Sequence, residues 1–79
     1  MATNLDYQKH VATLAIVCGV AVMHMGDCII VQFPNTFEGK HTIEFEHDAW
    51  RDVLTYLVAY AKREGVTVPQ STELLLEED

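Results

Sequence analysis

Cations are scarce in this chain: five Lys and Arg stand against twelve Asp and Glu, a formal net charge of -7 over 79 residues. Direct binding to DNA or RNA draws its affinity from clustered Lys and Arg that release counterions from phosphate. The one adjacent basic pair here, Lys62-Arg63, is followed at once by Glu64. The balance therefore excludes direct contact with nucleic acid and favours the reverse role, attraction to a protein with a basic surface. Nucleophiles are as thin as cations. The only serine is Ser71, and Cys18 and Cys28 sit in apolar runs that raise a thiol's pKa. No Cys-x-x-Cys, His-x-x-x-His or His-Glu-x-x-His spacing occurs, and the nearest grouping, His24 and Cys28, straddles a turn. No glycine-rich loop opens a helix to cradle phosphate. The expectation is a non-enzymatic chain with no metal and no cofactor.

Long hydrophobic runs are missing too. The longest, Val11 to Met25, contains Thr13, Gly19 and His24 and falls short of the ~20 residues a spanning helix needs. Asp6, Lys9 and His10 ahead of it make no basic leader, and Gly26-Asp27 behind it makes no cleavage site. With only four Gly and two Pro, and 49% hydrophobic residues, the composition is that of a folded globular chain. Two buried free thiols suit a reducing cytosol, so the expected setting is cytoplasmic, with no membrane.

What is present reads as a small two-layer α+β domain of order α-β-β-β-α over residues 1–69, followed by an acidic tail over 70–79. A helix from about Asn4 to Cys18, capped by Thr3 or Asn4, carries the stripe Tyr7, Val11, Leu14, Ala15 and Cys18 at helical spacing and stops at Gly19. Residues 11–18 would also suit a strand, because Ile16-Val17 continues into Val20 and Val22. Val20 to Met25 and Cys28 to Phe33 form a hairpin about Gly26-Asp27, with glycine in the first central position of a type II′ turn. Pro34 to Lys40 reads as a loop and His41 to Glu46 as the third strand of an antiparallel meander. The last helix runs from about Asp48, its cap, to Glu64, with the stripe Trp50, Val53, Leu54, Leu57, Val58 and Ala61, and Gly65 just beyond. Pro69 stops continuation, and the acids Glu73, Glu77, Glu78 and Asp79 favour exposure of the tail around Leu74-Leu75-Leu76.

The period-two alternation assigns Val20, Val22, His24, Ile29, Val31 and Phe33 to one side of the sheet, completed by Ile43 and Phe45. The other side collects Ala21, Met23, Met25, Cys28, Ile30, Glu44 and Glu46. Either both helices cover the first side and leave the second bare, or one helix packs on each. A bare side carrying Met23, Met25 and Ile30 is a candidate self-association surface, with the strand His41 to Glu46 as a second route to a homodimer. Glu38, Glu44, Glu46, Asp48 and Asp52, with Tyr56 and Tyr60 as aromatic anchors, are the candidate partner-binding residues.

In size and charge the chain is similar to the small acidic inhibitors that phages deploy against host defence and transcription machinery, anti-CRISPR proteins and DNA mimics among them. That resemblance implies a protein-binding antagonist that occludes a basic, nucleic-acid-handling partner. The alternative is a structural or assembly subunit that homo-oligomerises through its sheet.

Overall fold

The computed structural model describes residues 4–36 and 39–77. Six elements follow in order: α1 (Asn4–Cys18), β1 (Ala21–Met25), β2 (Cys28–Thr36), β3 (Gly39–Glu46), α2 (Trp50–Arg63) and α3 (Gln70–Glu77). The α+β class and the α-β-β-β-α order stand, with a third helix added. The strands form one antiparallel sheet in the order β1-β2-β3.

Residues 11–18 are helical to Cys18. The chain then leaves both main helices in the same manner. Val20 N–H donates to the Ala15 carbonyl at 2.9 Å and Gly19 N–H to Ile16, while Val66 N–H donates to Ala61 at 2.8 Å and Gly65 N–H to Lys62. This is the paired bonding by which a glycine just past a helix satisfies its last carbonyls. The expected Thr3 cap lies outside the described residues. Asp48 does not cap α2: the N-cap position falls to Ala49, which makes no side-chain bond. Asp48 instead belongs to the turn after β3, which the Ala49 N–H closes on the Glu46 carbonyl at 3.0 Å.

Gly26 alone of the two turn residues has a positive φ, 58°. That matches the type II′ turn, whose first central position only glycine enters without strain. The turn sets Met25 against Cys28 and Val22 against Val31. The expected loop from Pro34 to Lys40 is shorter than proposed: β2 runs on to Thr36, β3 begins at Gly39, and these two residues pair. The register shifts between Phe33 and Thr36. Pro34 lies at that irregularity, where a missing ladder N–H is tolerated.

Tyr7, Val11, Leu14 and Ala15 of α1, Ile29, Val31 and Phe33 of β2, and Trp50, Val53, Leu54, Leu57 and Val58 of α2 make one buried cluster. Both helices therefore share one face of the sheet, which settles the open choice between arrangements.

Gln70 to Glu77 is not an exposed tail. The Pro69 carbonyl accepts from the Thr72 and Glu73 N–H groups at 3.0 and 3.2 Å, so proline opens α3 as well as ending what precedes it. Thr72 and Leu75, three residues apart, are buried on one side of the helix. His10 Nδ1 lies 2.9 Å from Thr72 Oγ1. Arg51 donates at 2.7 Å to the Leu76 carbonyl, near the negative end of the α3 dipole, and at 3.1 Å to the Tyr7 hydroxyl. Lys62 pairs with Glu73 at 2.7 Å on the surface, a contact worth at most about 1 kcal/mol.

Burial of Leu75 predicts that Leu75→Ala costs about 2–3 kcal/mol of unfolding free energy, by lost transfer energy and the cavity left behind. Leu74→Ala, at a side chain 52% exposed, shifts it by less than about 0.5 kcal/mol. Urea denaturation of both variants checks this.

Candidate functional site: the open face of the sheet

The pleat that buries Ile29 and Val31 under the helices turns Cys28 and Ile30 the other way. The register then lines up two rows across that opposite face, Met23–Ile30–Glu44 and Met25–Cys28–Glu46, with Ala21–Gln32–Thr42 as a third. Each row runs from an apolar or neutral residue on β1 to a polar one on β3. Met23 and Met25 are 37% and 53% exposed, Ile30 and Cys28 are half-buried, and Glu44 and Glu46 are exposed. Thioethers, an isoleucine and two carboxylates thus share one side of a slab whose principal extents are 39 × 32 × 16 Å. The alternation in sequence had placed these side chains on one side of the sheet, and the register agrees.

Cys28 sits where the rows meet the acids. Its thiol pKa is raised by desolvation, then by the negative charge of Glu44 and a hydrogen bond to it, and last by Asp27. Its Sγ also lies 3.2 Å from the Met25 carbonyl. Cys18, raised by burial alone, is half-buried at the end of α1. Both are free thiols, and both stay in the inert, protonated form near neutral pH.

The remaining candidates lie elsewhere. Tyr56 and Tyr60 belong to the helix layer: Phe33 stacks on them at 5.5 and 4.7 Å between ring centres, and Phe45 meets Tyr56 at 6.1 Å. The Arg63 guanidinium lies 5.4 Å from the Tyr60 ring centre. Asp52 is exposed on α2, and Asp48 is exposed in the turn before it, 3.5 Å from His47. Glu38 lies outside the described residues. The described members of that belt therefore do not share one surface: Glu44 and Glu46 face one way, and Tyr56 and Tyr60 pack on the opposite side of the sheet. Single-sequence reasoning placed them together because they are close in the chain, whereas the crossing from β3 to α2 carries the backbone from one layer to the other.

Sequence reasoning missed a second feature, a hollow of about 390 Å³ between α1 and β1 lined by Ala12, Ile16, Val22, His24 and Trp50 among others. Its one signal was Gln8-Ala12-Ile16, a second row at spacing four beside the core stripe. His24 there stacks on His47 at 4.7 Å and approaches Trp50 at 6.0 Å. Among the described residues no three His, Cys, Asp or Glu side chains converge as metal ligands, and no helix is long and apolar enough to cross a membrane. No protein-family model, curated protein or solved structure matches the chain.

Since the Glu44 charge opposes the Cys28 thiolate, Glu44→Gln moves the onset of Cys28 alkylation to lower pH. A pH–rate profile with iodoacetamide, on a Cys18→Ala background that leaves one thiol, measures the displacement.

Proposed function

We propose that this chain is a small acidic protein-binding module that inhibits a basic, nucleic-acid-handling protein by covering its binding surface with the open face of the sheet. One observation carries the reading: Met23, Met25 and Ile30 lie in register with Glu44 and Glu46 on a face over which no helix packs among the described residues. Exposed apolar side chains beside carboxylates suit a partner groove in which Lys and Arg surround an apolar floor. The apolar part supplies desolvation energy, and the acids supply attraction and orientation. The methionines are well matched to this task, because an unbranched thioether adapts to irregular surfaces.

The net charge of -7 extends the attraction beyond the contact itself. It raises the encounter rate with a basic protein and lowers it with nucleic acid and with other acidic chains. Occlusion needs no catalytic group: the partner's basic groove is simply occupied by carboxylates where phosphates would sit. Such an antagonist would resemble phage inhibitors in its economy, one small domain with its recognition residues on a sheet.

The test is nuclease-treated affinity co-purification with wild type and with Glu44→Lys/Glu46→Lys, at low and high salt. The reading expects one basic protein retained by wild type, shed as the Debye length falls from about 8 Å toward about 3 Å, and lost to the charge-reversed variant. The purified partner should also lose nucleic-acid binding when the chain is added. Recovery of the bait alone, or capture indifferent to the charge reversal, would falsify the proposal.

A further inference from the structure

The β1 edge is bare in a way the β3 edge is not. Edge strands are normally guarded against pairing by charge, proline or a bulge. β3 carries Lys40, Glu44 and Glu46, whereas Ala21-Val22-Met23-His24-Met25 holds no Asp, Glu, Lys, Arg or Pro and pairs with β2 in unbroken register. In a two-residue hairpin the residues flanking the turn, Met25 and Cys28, exchange their main-chain bonds, and the pattern alternates from there. Met23 and Ala21 consequently bond inward to β2. The N–H and C=O groups of Val22 and His24 point outward.

Beside that edge lies the hollow between α1 and β1. Trp50 lines it, and the indole Nε1 is buried with no hydrogen-bond partner. Ile16, on the α1 side of the hollow, is 81% exposed, and Ala12 one turn earlier is small enough to let another helix approach. Among the described residues the core is thus open along one flank, with no element packed on strand and helix there.

We propose that this flank is the seam of a two-fold dimer, in which β1 of a second copy pairs antiparallel with β1 about Met23 and the two α1 helices pack across the axis near Ala12. The register selects a second copy. Val22 and His24 stand symmetrically on either side of Met23, so two identical strands place Val22 against His24 twice over, and every outward donor and acceptor of both finds a partner. Charge allows it as well. Two chains of -7 repel, but β1 with Gln8, Ala12 and Ile16 brings no Asp or Glu into such a contact, unlike the open face with Glu44 and Glu46. The joined sheet would be continuous, with both open faces on one side, so the dimer stands independently of which partner those faces bind.

Sedimentation velocity of the full chain over a hundredfold concentration series tests the seam. Wild type should pass from 8.9 kDa to twice that mass, and added salt should favour the dimer by screening its net repulsion. His24→Pro removes an outward N–H while sparing the β1–β2 ladder, and Ile16→Glu puts like charge on a side chain that carries no folding burden. Each should raise the dissociation constant by about tenfold or more. Ile30→Thr, on the open face, should leave it unchanged. A chain that stays at 8.9 kDa throughout, its edge bare or kept for a foreign strand, overturns the proposal. So does a dimer that Ile30→Thr breaks and Ile16→Glu does not.

Discussion

Val11 and Leu14 of α1 and Leu54 and Leu57 of α2 close over Ile29 and Val31 of β2, all six almost wholly removed from water. Each such side chain contributes about 1.5–3 kcal/mol when buried. Because both helices are spent on one face, the opposite face has nothing from its own main helices to cover it. The rest of the molecule's character follows from that one-sided packing: a thin slab, a ridged apolar surface with carboxylates at its β3 side, and a flank where α1 and β1 end without a neighbour.

Arg51 ties the helical layer together. Its side chain leaves α2, reaches Tyr7 of α1 and caps the Leu76 carbonyl of α3, so one planar cation spans segments that lie 44 and 25 residues away in the chain. A guanidinium is suited to this because its donors diverge in a fixed fork, which lysine lacks. His10 and Thr72 add a second link between the first and last helices. The third helix is therefore held by polar bonds at its ends and by Leu75 in its middle.

The stripes of α1 and α2 were legible because their apolar residues recur at helical spacing and glycine marks each end; the buried sets of both helices match those stripes, with Cys18 only partly covered. The hairpin was legible from Gly26-Asp27, and the alternation then assigned faces down to Ile43 and Phe45. The third helix was not, because Pro69 was read as a stop, and four acids with three leucines in ten residues suit a solvated tail as readily as a short amphipathic helix. Its helicity depends on Arg51, His10 and the apolar neighbours of Leu75, none of which a local window contains. Asp48 failed as a cap for a related reason: residue type favours capping, but the tight turn from Glu46 to Ala49 sets the helix start one residue later. The scattering of Glu44, Asp52 and Tyr56 over two layers likewise depends on a change of layer that proximity in sequence conceals.

The pleat of β2 has a consequence for how this chain can change over evolutionary time. Ile29, Val31 and Phe33 answer to folding, while Cys28, Ile30 and Gln32, interleaved with them, lie on the open face and outside the core. Adjacent residues are thereby under unrelated physical constraints. Residues of the open face can change by single substitutions without drawing on the stability of the core, so every second position of the sheet could alter while the alternate positions stay as they are.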